Sequence, residues 1–303
     1  MDAQVSEGRR SAGAGQIAVA LLRTMRPRQW AKNVIIYAGL VFDGQLRVID
    51  SLLRVTLAFV LLCLAAGAIY VINDLVDIEK DRLHPRKRNR PLASGQLPVP
   101  VAVVAAVVLL LVAVGGALLY SPPLAVVLAA YIALHIAYSF YLKSIVIIDV
   151  FSIAAGFMLR VVAGVVVIVV ARFSPWLYVC VGFLSLFLAV GKRRQELIAL
   201  NDKAEKVRAT YKQYTLPLLD EMLRLVMTGS VLGYTLYTFE ANASRPTMML
   251  TVPFVVYSIM RYMYLMHVEG KGGAPEDVLF EDKPFFVGVL LWGLSVVAVL
   301  YLG

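Results

Sequence analysis

Apolar residues gather into nine stretches along the chain, at about 34–42, 53–76, 99–120, 123–141, 147–170, 174–191, 222–240, 247–266 and 284–302. Most of these approach the roughly 20 residues that a helix needs to cross the hydrocarbon core of a bilayer. The clearest case is Pro98 to Leu142, a run without Asp, Glu, Lys or Arg that is interrupted only by Ser121-Pro122-Pro123. In lipid each backbone polar group must be satisfied within its own segment, so this run predicts two helices joined by a tight turn. The first stretch is short and needs the preceding turn to extend it. The expected fold class is all-α, a polytopic membrane protein with nine transmembrane helices.

Composition agrees, with 60% hydrophobic and 16% charged residues and a mean hydropathy of +0.77, values that exclude an ordinary soluble domain. A net charge of +9 is explained by cytoplasmic loops facing anionic lipid, so the membrane is an expected partner and nucleic acid is not. Cys63 and Cys180 both lie in apolar runs and are expected to pack as small hydrophobes. Residues 1–21 lack the order of a signal peptide and predict a flexible tail leading into an interfacial helix, followed by a single transmembrane domain over 22–303. In RTMRPRQWAKN, Arg23, Arg26, Arg28 and Lys32 flank Trp30, the pattern of a membrane-interface anchor. Arg26, Arg28, Lys32 and Asn33 are equally suited to meet a phosphate. The N-terminal arm and the 77–97 and 192–221 loops are rich in Lys and Arg, whereas the turns near 121–123, 171–175 and 241–246 carry at most one each. The positive-inside rule therefore predicts a multi-pass protein of the inner (plasma) membrane. Its N-terminus and even-numbered loops are cytoplasmic, and its C-terminus is outside.

The unusual polar chemistry lies on the expected cytoplasmic side. Between Tyr70 and Leu97 the chain reads YVINDLVDIEKDRLHPRKRNRPLASGQL. On a helix Asp74, Asp77 and Asp81 share one face, with Asn73 close beside it. Carboxylates so close repel unless a cation sits among them, and Mg²⁺ accepts such oxygen ligands together with substrate phosphates. A solvated helix end explains one carboxylate better than it explains this series. The basic run Arg82, Arg86, Lys87, Arg88 and Arg90 follows directly. Lys192, Arg193, Arg194 and Glu196 mark the edge of a second cytoplasmic loop, where the cations also fit plain positive-inside signal. Tyr138, Lys143 and Asp149 flank the loop between the fourth and fifth segments. Arg160 lies well inside the fifth, where a guanidinium is costly unless it is paired with an acid such as Asp149 or meets a bound anion.

The run NDLVDIEKD, preceded by RPRQWAKN and followed by KRNRPLASG, resembles the first aspartate-rich motif of the UbiA-type intramembrane prenyltransferase superfamily. YSFYLKS, with Tyr138 and Lys143, is similar to a further family element, and the hydrophobic plan matches from about Leu22 onward. The resemblance implies nine helices around a central cavity opening to the cytoplasmic side, with Asn73, Asp74, Asp77 and Asp81 holding Mg²⁺, or Mn²⁺ in its place, and a diphosphate. Asp74, Asp77 and Asp81 are then the catalytic residues. Arg26, Lys32, Asn73, Arg82, Lys87, Arg88, Tyr138, Lys143, Arg160, Lys192, Arg193, Arg194 and Glu196 are the expected substrate contacts.

One departure narrows the reading. Family members typically carry a second DxxxD motif after the sixth helix, whereas this chain has GKRRQEL there, which turns a metal-binding wall into an anion-binding one. Together with Pro275-Glu276-Asp277, this resembles the branch that transfers phosphoribosyl from 5-phosphoribosyl-1-diphosphate (PRPP) to a polyprenyl (decaprenyl) phosphate, a step toward cell-wall arabinan precursors. Such an acceptor is already ionised, so His84, His135 and His267 are expected to stand outside the chemistry, with His84 nearest to it. The alternatives are a prenyltransferase acting on an aromatic quinone or haem precursor, which predicts the missing second carboxylate motif, and a carrier. A carrier predicts broken helices in paired halves rather than polar groups at one face.

Overall fold

The computed structural model describes residues 13–83, 87–170, 174–200, 209–241, 246–272 and 275–302, and every regular element among them is helical. Helix α1 (Ala14–Met25) ends where Arg26 turns left-handed at φ 54°. A 3₁₀ segment (Pro27–Tyr37) then runs into the short α2 (Ala38–Phe42). Next come α3 (Ile49–Val76) and α4 (Ile78–Leu83), then α5 (Val99–Tyr120), α6 (Pro122–Phe140) and α7 (Ile148–Val165). They are followed by α8 (Pro175–Leu200), α9 (Leu216–Ala241), α10 (Val252–His267), α11 (Pro275–Glu281) and α12 (Lys283–Tyr301).

Seven described helices are long and apolar enough to cross a membrane, and they match seven of the nine expected stretches. The other two differ for physical reasons. The stretch at 34–42 is divided between 3₁₀ backbone and the five-residue α2, because it holds too few apolar residues for a full helical crossing. The stretch at 222–240 lies in the 26-residue α9, whose first turns carry Asp220, Glu221 and Arg224. The flexible tail expected over 1–21 is already helical from Ala14, and residues 1–12 lie outside those described.

Helix α5 shows why lipid is the solvent. Pro100 stands in its first turn, where its missing N–H costs nothing. Its buried positions are the small residues Ala102, Ala106, Ala113 and Ala117, whereas Val104, Val107, Leu111 and Leu118 are exposed. Small residues let neighbouring helices approach closely, and large apolar side chains facing outward are at no disadvantage in lipid.

By internal contacts the chain divides into two compact units, 1–34 with 59–128 and 35–58 with 129–303. In the first, Ala20 and Met25 of α1 pack with Val71 of α3, Leu92, Leu97 and Ala102 and Ala106 of α5. In the second, Val150 and Ala154 of α7, Phe187 and Val190 of α8, Leu223 of α9 and Tyr262 and Leu265 of α10 form one core. A further cluster joins Leu177, Tyr234, Met248 and Val296. Gly164 of α7 lies so close to the preceding 3₁₀ segment that a β-carbon there would stand 1.9 Å from the Ile36 carbonyl oxygen.

Candidate active site

In the first unit the helical hydrogen bonds carry through the break between α3 and α4, from Asp77 N to the Asn73 carbonyl (3.1 Å) and from Asp81 N to the Asp77 carbonyl (2.8 Å). Asp74 and Asp81 therefore keep the common facing read from their spacing. Asp74 and Asp81 are both 3% exposed. Arg26 Nη2 lies 2.5 Å from Asp74 Oδ1, and Arg90 Nη1 lies 3.2 Å from the same oxygen and 2.6 Å from Asp81 Oδ2. The Arg26 guanidinium also covers the Tyr70 ring, 4.9 Å from its centroid. Two buried carboxylates thus converge on one cationic group supplied from further along the chain.

Asp77 stands apart, its side chain 32% exposed and 3.9 Å from Lys80 Nζ. Asn73 is half-buried beside it. Among the described residues no three His, Cys, Asp or Glu side chains are gathered as a metal set, so the expected ligands Asn73, Asp74, Asp77 and Asp81 are not brought together as one group. The donor chemistry nevertheless fits a hard divalent cation. Asp74 and Asp81 present anionic oxygens to a single positive centre, the place now taken by the Arg90 guanidinium.

The remaining expected contacts of this unit are more peripheral. Arg82 bonds Glu79 (2.8 Å) and the Ala93 carbonyl, while Lys87 and Arg88 are exposed on a 3₁₀ turn. Lys32 is half-buried, and Asn33 is buried with its amide 3.2 Å from Cys63 Sγ. His84 and Arg86 lie outside the described residues, as do the side chains of Pro275, Glu276 and Asp277.

In the second unit Arg193 is the centre of a buried network. Its Nε donates to Asp149 Oδ2 (2.8 Å), its Nη1 to Glu196 Oε2 (2.6 Å) and its Nη2 to the Tyr138 hydroxyl (3.0 Å). The Tyr211 hydroxyl bonds Glu196 as well. Tyr214 donates to Asp149 Oδ1 (2.6 Å) and accepts from Ile147 N–H (2.9 Å). Burial, then the bond to Asp149, hold the Tyr214 phenol well above its ordinary pKa. Ile147, immediately before α7, has φ 69°, a rare conformation for a β-branched residue that this hydroxyl helps to hold. Arg194 pairs with Asp220 (2.6 Å), which also meets His267, and Gln195 donates to the Met266 carbonyl (2.8 Å). Lys143 and Lys192 are half-buried.

Arg160 is 7% exposed and lies among rings. Its Nη2 donates to the Tyr131 hydroxyl (2.8 Å), and the guanidinium stands 4.9 Å from the Tyr131 centroid and 5.0 Å from that of Phe157. Asp149, the acid named as its candidate partner, is engaged by Arg193 and Tyr214. The sequence reading undervalued Arg90, Asp149, Tyr211 and Tyr214. Arg90 was visible in the basic run, whereas Asp149 is met by Arg193 and Tyr214 across 44 and 65 residues, and Tyr211 reaches Glu196 across 15.

Buried carboxylates meeting arginines at the end of an apolar helix, in an all-helical chain with lipid-type packing, define the class as an intramembrane protein equipped to handle anions. The chain belongs to the UbiA prenyltransferase family, whose model matches residues 34–276. It is 35% identical over 295 residues to the decaprenyl-phosphate phosphoribosyltransferase of Corynebacterium glutamicum, covering 94% of this chain and 88% of that protein. Its identity to the Mycobacterium tuberculosis protein of that name is 33% over 292 residues, covering 95% of this chain and 96% of the relative. A UbiA homolog from Archaeoglobus fulgidus, solved bound to GPP and Mg²⁺, shares the fold at TM-score 0.70 and 19% identity over 93% of this chain and 99% of its own.

Proposed function

We propose that this protein transfers the 5-phosphoribosyl group of PRPP to a polyprenyl phosphate, with decaprenyl phosphate the natural length, and releases diphosphate. The step supplies a lipid-linked pentose for arabinan-type cell-wall precursors. The observation that carries the reading is the convergence of Asp74 and Asp81 on one cationic position, in a chain one-third identical along nearly its whole length to proteins of that activity. An ionised oxygen of the lipid phosphate attacks C1 of the ribose. The C1–O bond to diphosphate breaks as the new bond forms, and diphosphate leaves with the electron pair. No proton has to be removed from the acceptor, so no strong base is required.

Asp74 and Asp81, with Asn73 and Asp77 beside them, would hold Mg²⁺, which supplies charge neutralisation to the leaving diphosphate. Arg26 and Arg90, which neutralise the carboxylates, would be free to meet phosphate oxygens with a metal bound there. Arg82, Lys87 and Arg88 add exposed positive charge for the water-soluble donor, with Lys32 at the edge of the same unit. In the second unit Lys143, Lys192 and Arg194 serve anionic substrate groups. Arg193, with Tyr138 and Glu196, orients that region through the network around Asp149. The reacting groups work from the cytoplasmic side of the inner membrane, with the C-terminus outside, because the acceptor tail stays in lipid while its headgroup meets a soluble donor.

Purified protein supplied with ribose-labelled PRPP, polyprenyl phosphate and Mg²⁺ tests this, run beside a prenyl diphosphate with an aromatic acceptor. Label is expected in the lipid phase of the first reaction and no prenylated aromatic in the second. The opposite pattern overturns the proposal.

A further inference from the structure

Helix α1 has twelve residues, too few to cross a bilayer, and its two long faces differ. Ile17, Ala20, Leu21 and Met25 pack with Val71 of α3 and with Leu92 and Leu97 of the loop before α5. Val19 and Leu22 stand outside that core, 50% and 51% exposed. An amphipathic helix of this kind lies in the membrane interface, with its outward apolar side chains at the level of the headgroups.

The helix and the loop before α5 leave a groove of about 540 Å³ between them, lined by Gly15, Gln16, Val19, Ala20, Arg23 and Gln96. Gln16, Val19 and Arg23 stand on successive turns of one face, so an amide, an apolar step and a guanidinium follow one another along the groove. The loop adds the Gln96 amide. All three polar side chains are exposed and, among the described residues, make no hydrogen bond or ion pair. A β-carbon on Gly15 would meet nothing within 4 Å, so the groove is open at that end.

The charge balance of this unit makes the opening cationic. Its described acids are Asp74, Asp77, Glu79 and Asp81, and each is already met by Arg26, Arg90, Lys80 or Arg82. From Gly13 to Phe42 the chain has no acid at all. Arg23 is therefore a surplus positive charge beside an apolar step, a combination that matches a phosphate carried on hydrocarbon better than a phosphate in water.

We propose that this groove binds an acidic phospholipid of the bilayer. Arg23 pairs with the lipid phosphate, the Gln16 and Gln96 amides donate to headgroup and glycerol oxygens, and an acyl chain runs over Val19 and Leu22. The site lies one turn before Arg26, which ends α1 and reaches Asp74, so the bound lipid also steadies the arm that carries Arg26. It is independent of which group the enzyme transfers.

Native mass spectrometry of the purified full chain, titrated in detergent with phosphatidylglycerol or with phosphatidylcholine of the same acyl chains, tests the site. For the first bound lipid, phosphatidylglycerol is expected to bind at least tenfold more tightly, and to slow amide exchange across residues 14–25. Arg23→Gln removes the cation, and Gln96→Glu sets a carboxylate against the phosphate; each should bring the preference below threefold and restore fast exchange. Arg28→Gln, which removes another exposed cation outside the groove, should leave the preference within twofold of the wild type. Should Arg23→Gln fail to fold, Gln96→Glu carries the test alone. Equal affinity of the wild type for the two lipids, or wild-type binding by the folded groove variants, overturns the proposal. An equal loss in Arg28→Gln overturns it too, because the attraction is then diffuse surface charge. Slowed exchange across 14–25 with inorganic phosphate alone would make this a site for soluble phosphate and likewise rejects the lipid.

Discussion

Asp74 and Asp81 are buried anions, and Arg90 is what makes their burial tolerable. Removing one partner of a buried ion pair leaves the other charge uncompensated, at a cost of about 3–5 kcal/mol in dry surroundings. Arg90 is 28% exposed, so the lower end, about 3 kcal/mol, is expected for Arg90→Leu. Because the same carboxylates are assigned to Mg²⁺, the loss should be partly reversed by millimolar Mg²⁺ and not by K⁺, as read by thermal melting in detergent. Arg193 makes the complementary case. With Asp149 fully buried, Arg193→Leu should destabilise strongly, and Arg193→Leu combined with Asp149→Leu should recover part of the loss. An Arg193→Leu protein that melts like the wild type but shows a raised KM would instead make Arg193 a direct phosphate ligand. Arg194, paired at a more open site, should cost less to replace.

At the scale of elements, glycine separates close crossings from open faces. A β-carbon at Gly164 would collide with the Ile36 backbone carbonyl, which has no flexible end to move aside, whereas one at Gly115 of α5 meets nothing within 4 Å. Gly164→Ala is therefore expected to prevent folding or to lower the melting temperature sharply. Gly115→Ala should leave it unchanged or raise it, by an amount on the order of 0.5–1 kcal/mol for a glycine removed from a helix interior. Melting curves of the two variants side by side check this. Much at this scale was legible in the sequence. Uninterrupted apolar runs such as 99–120 are helices because lipid permits little else, and the spacing placed Asp74 and Asp81 on a common face across a short break while Asp77 stands apart. The first stretch was less sharply legible, because so short an apolar run does not reveal whether it completes an α-helix or divides with 3₁₀ backbone. The partners of Asp149 were hidden for another reason: Arg193 and Tyr214 reach it across 44 and 65 residues, and no local pattern records such a meeting.

For the molecule as a whole, seven helices among the described residues are long and apolar enough to cross a membrane, the buried carboxylates Asp74 and Asp81 stand near the end of one of them, and Arg160 is buried within another. That distribution suits an enzyme that keeps a long lipid in the bilayer and works on its headgroup. The central claim is that transfer depends on a divalent cation held by the aspartates of α3 and α4. Single-turnover transfer from labelled PRPP to polyprenyl phosphate by the purified protein measures it most directly, with Mg²⁺, with EDTA, and with Asp74→Asn and Asp81→Asn proteins that retain the wild-type melting temperature. Transfer should require Mg²⁺ or Mn²⁺ and fall at least a hundredfold in either variant; undiminished turnover in EDTA, or in either variant, would contradict the account.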